Sequence, residues 1–332
     1  MAAVNWGVLG FANIARIAVI PALLRARNAR LVAIASRTPA RGQEAAEHFG
    51  IPRAYGTYEA LLEDPEVQAI YIPLPNTLHR EWTLRCAAAG KHVLCEKPLA
   101  MSAADCEEMI AGCRRHGVVL MEAFMYRFHP RTQQVLRLIA SGDLGEVQLV
   151  RASFTSGTFP PRNPNNIRYR ADLGGGALYD IGCYAVNICR AALGEPEEVA
   201  AFGSVGSSGV DEALVGMLRF HNGRVGVIDC GLRLAGRQEY EILGTRGRLT
   251  VPAPDAFVAR SPDTELLVVR GSDREVVKVP GADHYQRMVE HFGDVLSGSP
   301  LELSPDDAVA NVRTLEALNL ALRSGTLRKV TA

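Results

Sequence analysis

The chain has 332 residues, 48% hydrophobic and 22% charged, and its 36 Lys and Arg balance 36 Asp and Glu to a net charge of zero. That length can bury a sizeable core and divides most simply into two domains, and the neutral balance removes any general electrostatic reason to bind nucleic acid or an anionic membrane. The apolar stretch at residues 14–24 is short and carries Arg16, so neither a signal peptide nor a membrane span is predicted. Seven scattered cysteines with no C-x-x-C spacing argue against structural zinc, any other metal centre and a disulfide framework. Free thiols in a reducing cytoplasm are the expectation.

In chain order, short apolar runs at residues 5–9, 31–35, 69–72, 92–95 and 118–121 alternate with helical segments. This is the rhythm of a parallel sheet whose strands are buried on both faces. Helix caps are expected at Thr38, Thr57, Asn76 or Thr77, and Ser102, with Gly50, Gly90 and Gly117 just past helix ends. Pro21 lies inside the first helix pattern and is expected to kink or restart it. After residue 122 the pattern changes: a helix over 129–140, a strand from Val147, a Pro/Arg/Asn-rich stretch over 157–172, strands over about 199–279, and closing helices over 284–296 and 305–322. The reading is an α/β Rossmann-type doubly wound parallel sheet over residues 1–122. It is followed over 123–332 by an α+β domain with a large, mostly antiparallel open sheet, for substrate binding and oligomerisation.

The first strand runs into Gly10-Phe11-Ala12-Asn13-Ile14-Ala15 and then a helix, where a dinucleotide fold sets a pyrophosphate against backbone N–H groups. Of G-x-G-x-x-G only the first glycine remains, with Ala12 and Ala15 at the other two positions, and an ordinary strand-to-helix turn would also carry small residues here. The end of the second strand is more telling. It reads Ser36-Arg37-Thr38 with Arg41 nearby, and no Asp or Glu stands ready for a ribose 2′-OH. Arginines and hydroxyls suit a 2′-phosphate, so NADP is preferred and NAD allowed, although a solvated loop with a cap at Thr38 would read the same.

Lys97, stopped by Pro98 at the end of the 92–95 strand, stands where such sheets place ligands. A second cluster, Gly174-Gly175-Gly176 followed by a helical pattern, carries Asp180 and Tyr184 at i, i+4 on one expected helix face. Acid, phenol and ammonium could then meet across a domain cleft. The 157–172 stretch, with Arg162, Arg168 and Arg170, is long and polar enough for a substrate lid or for a solvated loop.

In Gly7-Val8-Leu9-Gly10, Pro73-Leu74-Pro75-Asn76, Glu96-Lys97-Pro98, Met121-Glu122-Ala123-Phe124 and Gly174 through Tyr184, the sequence resembles the Gfo/Idh/MocA oxidoreductases, and the resemblance covers essentially its whole length. Many members carry His four residues after the Asp. Tyr184 instead resembles the branch of glucose-fructose oxidoreductase, dimeric dihydrodiol dehydrogenase, NADP-linked aldose dehydrogenases and sugar 3-ketoreductases. The resemblance implies that Lys97 and Tyr184 carry proton transfer with Asp180 positioning them. Phe11, Asn13, Ile14, Leu74, Pro75, Asn76, His79, Glu96, Lys97 and Tyr285 would then join Gly10, Ala12 and the group Ser36, Arg37, Thr38 and Arg41 around the cofactor. For His79 a structural role reads equally well, and for Tyr285 core packing is the plainer reading. The expected activity is hydride transfer between NADP and a ring carbon of a sugar or related polyhydroxylated alcohol. Reduction of a nucleotide-activated ketosugar is the rival, and an idle NADP-binding regulator a more distant one. The strand around Val227 lacks a strongly polar face, and the family commonly pairs through this sheet. A homodimer or a pair of dimers is therefore expected.

Overall fold

Short runs of Val, Ile, Leu and Ala that can bury both faces become the parallel strands of the first unit. The computed structural model describes residues 3–157, 166–259 and 263–331. The strands are β1 (Val4–Leu9), β2 (Ala29–Ala35), β3 (Arg53–Tyr55), β4 (Ala69–Ile72), β5 (His92–Glu96) and β6 (Leu120–Ala123), in the sheet order β3-β2-β1-β4-β5-β6. Every pairing in it is parallel. This is the doubly wound dinucleotide-binding order, whose switch point lies between β1 and β4. Helices α1 (Ile20–Arg25), α2 (Pro39–Phe49), α3 (Tyr58–Leu62), α4 (His79–Ala88) and α5 (Ala103–Arg115) connect them.

Local chemistry explains where these elements stop. Thr57 and Ser102 accept from the amides of Ala60 and Asp105 as helix caps, and Gly50, Gly90 and Gly117 take the expected positive φ. Thr38 precedes Pro39 at the start of α2 but makes no side-chain capping bond. Asn76 opens a 3-10 turn (Asn76–Leu78) into α4 without a side-chain cap there. Strand β6 begins two residues later than its apolar run. Val118 is still spent on the helix end, its N–H bonding back to the Cys113 carbonyl at 3.0 Å while that of Gly117 bonds to Arg114 at 3.1 Å. Strand β3, three half-buried residues at the sheet edge, is too short to show a pattern in the sequence.

The chain divides into two compact units, Met1–Phe128 with Asp283–Val309, and His129–Ala282 with Ala310–Ala332. The break expected at 122/123 therefore misses a return of the chain. Within the first unit, α8 (His284–Leu296) buries Met288, Val289 and Phe292, and the Phe292 ring lies 5.1 Å from that of the fully buried Trp6. Burying one such side chain contributes about 1.5–3 kcal/mol. Ion pairs from Arg25 to Asp283 and from Arg27 to Asp294 hold the helix start and end against the turn before β2.

The second unit holds α6 (Pro130–Ala140), β7 (Val147–Thr155), α7 (Cys183–Leu193), β8 (Pro196–Val205), β9 (Asp211–Phe220), β10 (Val225–Gly231), β11 (Arg237–Gly244), β12 (Arg248–Val251), β13 (Asp263–Arg270), β14 (Asp273–Pro280) and β15 (Arg328–Lys329). Its sheet runs β14-β13-β12-β11-β7-β10-β9-β8-β15, antiparallel except for β7 with β10. Asn222 and Gly223 both take positive φ in the turn joining β9 to β10. Helix α7 covers one face, and Gly226 leaves room there for Cys189, whose Sγ would stand 3.2 Å from a Cβ. All seven cysteines are buried free thiols. Among the described residues no helix is long and apolar enough to cross a membrane, and no group of three His, Cys, Asp or Glu could hold a metal ion.

Candidate active site

In the first unit, β1 runs into Gly10, which has φ +119° and whose Cβ would lie 3.0 Å from Leu74 Cδ2, so conformation and crowding both demand glycine. Half-buried Phe11 and Ala12, exposed Asn13 and half-buried Ile14 lead into a π-turn, Ala15–Val19, before α1. Pro21, which has no N–H to bond back to the preceding turn, sits in the first turn of α1 and restarts the helix. π-turns are frequent at functional sites. The Asn13 carboxamide oxygen accepts from Arg16 Nη2 at 3.0 Å, and the Phe11 carbonyl accepts from Arg41 Nη2 at 3.1 Å.

That last bond brings the end of β2 to the turn. Ser36 is buried, its N–H held by the Tyr55 carbonyl at 3.2 Å, while Arg37, Thr38 and Arg41 are exposed. Burial pushes the Tyr58 phenol up, and both Arg37 and Arg41 pull it down, so their charges converge on this hydroxyl. The same hydroxyl would stand 3.6 Å from a Cβ on Gly10. A tight glycine turn flanked by two guanidiniums, with no acid at the strand end, fits a dinucleotide bearing a 2′-phosphate.

Leu74 joins this turn to the chemistry-bearing loops. Its side chain packs over Gly10, and its carbonyl faces His79 Nε2 at 2.9 Å, while His79 Nδ1 faces the Pro98 carbonyl at 3.0 Å. His79 is fully buried, and that burial holds its pKa below the usual value. It ties the loops after β4 and β5 together through their backbone carbonyls. Pro75 and Asn76 are half-buried beside it. At the end of β5, Glu96 is buried and accepts from Tyr71 Oη at 2.7 Å, and half-buried Lys97 follows. Tyr71 is held well above the ordinary phenol range by burial first, and then by the neighbouring Glu96 carboxylate and Tyr285. Half-buried Tyr285, in the first turn of α8, is thus near this group. Tyr71 escaped the sequence reading because, within Ala69-Ile70-Tyr71-Ile72, it counts as one more strand hydrophobe.

In the second unit, the three glycines open the helix that carries Asp180 and Tyr184. Leu178–Gly182 forms another π-turn, continued by α7 from Cys183. The spacing assumed an α-turn, whereas a π-turn takes one residue more. The Asp180 carboxylate accepts from Arg168 Nε at 2.6 Å. The ring of the buried Tyr184 lies 5.4 Å from Phe154 and 5.6 Å from Phe257, and these two stack on each other at 5.7 Å. Buried Arg131 fixes the backbone before Phe257 by donating to the Asp255 and Ala256 carbonyls at 2.8 and 2.9 Å. Asp211, 33 residues beyond Leu178, caps this helix by accepting the Leu178 N–H at 2.7 Å. No sequence signal near the helix points to it. Of the arginine-rich stretch, Arg162 lies outside the described residues. Arg168 faces Asp180, and Arg170 pairs with Asp172.

The parallel sheet with its glycine turn and basic second-strand end defines an NAD(P)-dependent oxidoreductase. Residues 4–124 match the oxidoreductase family with an NAD-binding Rossmann fold, and residues 132–250 match the Gfo/Idh/MocA C-terminal domain. The chain belongs to the Gfo/Idh/MocA oxidoreductases. It is 39% identical to D-xylose 1-dehydrogenase (NADP(+)) 2 of Haloferax volcanii, over 96% of this chain and 98% of that one. Among solved structures it resembles a 3-ketoreductase from Actinomadura kijaniata in complex with NADP and TDP-benzene (TM-score 0.88, 34% identity, 96% and 98% of the two chains). It also resembles aldose-aldose oxidoreductase from Caulobacter crescentus complexed with glycerol (TM-score 0.88, 29% identity, 98% and 99%).

Proposed function

We propose that this protein is an NADP-dependent oxidoreductase that moves a hydride between the nicotinamide and a ring carbon of a sugar or related polyhydroxylated alcohol. Lys97 and Tyr184 carry the proton, and Asp180 positions them. The observation that carries the reading is Arg41 bonded to the Phe11 carbonyl next to Gly10, with Arg37 acting on the same Tyr58 hydroxyl, at a strand end without an acid. NADP, when bound, supplies the hydride acceptor or donor. Ser36, Arg37, Thr38 and Arg41 are assigned to its 2′-phosphate, the Gly10–Ile14 turn to its pyrophosphate, and Leu74, Pro75, Asn76, Glu96 and Tyr285 to its nicotinamide half.

Oxidising a carbinol also requires a base for the hydroxyl proton. A phenol, ordinarily titrating near about 10, serves as that base near neutrality only when a cation stabilises its phenolate, and Lys97 is the ammonium assigned to that task. The walls of Phe154 and Phe257 around Tyr184 keep that ring in one orientation. Replacing Tyr184 by Phe keeps the ring and removes the hydroxyl. It should lower kcat by about 10² to 10⁴ and leave the NADP affinity unchanged. A rate within a few-fold of wild type would move the proton to another group.

The rival substrate, a nucleotide-activated ketosugar, is favoured by the Actinomadura neighbour solved with TDP-benzene. Against it, Arg168 and Arg170, the described arginines of the 157–172 stretch, face carboxylates of their own chain. For assembly we infer a homo-oligomer, a dimer or a pair of dimers, built on the sheet face opposite α7. There Phe202, Val215 and Met217 are 71%, 52% and 54% exposed beside half-buried Val227. An apolar patch of this kind marks a contact surface. A cytoplasmic location suits the seven free thiols.

A further inference from the structure

The triple glycine before the Asp180 helix is explained by its neighbours on both sides. On one side, the Gly176 N–H donates to the Arg168 carbonyl and the Gly175 N–H to the Arg170 carbonyl, each at 2.9 Å. A Cβ on Gly175 would fall 2.5 Å from the Arg168 carbonyl oxygen and 2.6 Å from that of Ile167, so only glycine lets the 166–170 segment lie so close. On the other side, a side chain on Gly176, at φ +121°, would overlap the Asp211 carboxylate that caps the helix. The glycines therefore lock two things together: the backbone of Arg168 and the start of the helix that carries Asp180. Asn166 adds to the lock by accepting the Arg168 N–H on its Oδ1 at 3.1 Å.

From this seat the Arg168 side chain reaches Asp180, Nε to Oδ2 at 2.6 Å, with the carboxylate 16% and the guanidinium 33% exposed. A charge-assisted bond of that length fixes a carboxylate's direction as well as its charge. Glu212, the acid whose charge raises the adjoining Tyr169, is paired with Arg233 at 3.0 Å. We propose that Arg168 is a positioning residue of the reaction, holding the Asp180 carboxylate ionised and in one orientation from a backbone seat shaped by Gly175 and Gly176. The proposal rests on the reading of Asp180 as part of the proton-transfer set. It assigns Arg168 to the enzyme's own carboxylate and not to an anionic substrate.

The test uses the full-length protein with NADP+ and D-xylose, D-glucose or glycerol as probes, in Arg168→Gln, Asp180→Asn and the double variant. Misplacing a reacting group by about 1 Å can cost about 10² in rate, so Arg168→Gln should lower kcat by about that factor with the KM for the probe and the NADP affinity little changed. In the Asp180→Asn background the same substitution should cost less than about two-fold, because residues that act through one another are not additive. Arg168→Lys should recover part of the loss, since it restores the charge without the planar fork. A substrate-free readout accompanies these: with 13C-labelled Asp carboxyls, Asp180 should titrate at higher pH in Arg168→Gln than in wild type. An impaired Asp180→Asn beside an Arg168→Gln with wild-type kcat and unchanged Asp180 titration would overturn the role of Arg168 alone. Wild-type kcat in Asp180→Asn would overturn the catalytic reading and the proposal together. Equal losses from Arg168→Gln in both backgrounds would make Arg168 a ligand of the substrate.

Discussion

A 2′-phosphate adds about −1.5 to −2 charges near neutrality, and the residues proposed for it, Arg37 and Arg41, both act electrostatically on the Tyr58 hydroxyl. Removing one such partner costs what a hydrogen bond to a charged group contributes. Arg37→Ala should therefore weaken NADP by about 1.5–3 kcal/mol while NAD affinity, which lacks the 2′-phosphate, hardly changes. Titration calorimetry with both nucleotides checks this, and an equal loss for both would place Arg37 elsewhere. The preference for NADP was legible in the sequence because its signal is local: a strand end, two arginines, a serine and no acid. His79 was not. Its ring partners are the carbonyls of Leu74 and Pro98, five and nineteen residues away, and a backbone carbonyl has no letter in a sequence. Asp211 was hidden for the same reason, since its place at the head of the Asp180 helix depends on where β9 begins.

Between residue and domain, the edge of the first sheet is tied by one carboxylate. Asp64, after α3, accepts from Arg53 Nε at 2.8 Å, Tyr55 Oη at 3.0 Å and the Glu66 N–H at 2.9 Å. Its own carbonyl and that of Val67 each take a bond of 2.7 Å from the buried Lys91 ammonium. Burial alone pushes the Asp64 carboxyl up. The Glu66, Tyr55 and Arg53 donors outweigh it and hold the group below its ordinary 3.8. A folded-state value below the unfolded one means stability that is complete above about pH 4–5 and is lost as pH falls through the depressed value. Asp64→Asn should cost about 1.5–3 kcal/mol at pH 7 and less at pH 3.5. Urea unfolding at the two pH values measures the difference, and an equal cost at both would remove Asp64 from the account. The Lys91 of Gly90-Lys91-His92 thus serves the sheet. From the sequence, the type and order of the long elements were readable from their periodicity and caps. Strand β3 was too short to be seen, and β6 was displaced because the α5 end motif consumes Val118.

At the scale of the molecule, the two units were visible as a change of pattern after residue 122, but the return of Asp283–Val309 to the first unit was not. An amphipathic helix shows in the sequence that it has a buried face and does not show which core receives it; here that core is Trp6. The second unit's open sheet face raises the same question. The sequence left open whether Val227 or Ile228 faces outward, and Ile228 is fully buried on the α7 side while Val227 lies opposite Met217 on the exposed one. A charge at the centre of that face, Val227→Asp or Met217→Asp, should shift the protein to monomers while NADP binding to the first unit persists. Light scattering on wild type and variants decides it. A monomeric wild type at micromolar concentration would end the assembly proposal and leave the catalytic one intact.

The central claim is NADP-linked redox chemistry at a sugar carbinol. Its most direct measurement is the absorbance of the nicotinamide band when purified protein meets a panel of free aldoses, polyols and nucleotide sugars, with NADP+ and NAD+ in separate wells and the reduced cofactors with ketosugars in others. The account predicts turnover with at least one free sugar or polyol, a higher kcat/KM with NADP than with NAD, and loss of that turnover in Tyr184→Phe. Turnover confined to nucleotide sugars, a preference for NAD, or no change of absorbance with any sugar in either direction would contradict it.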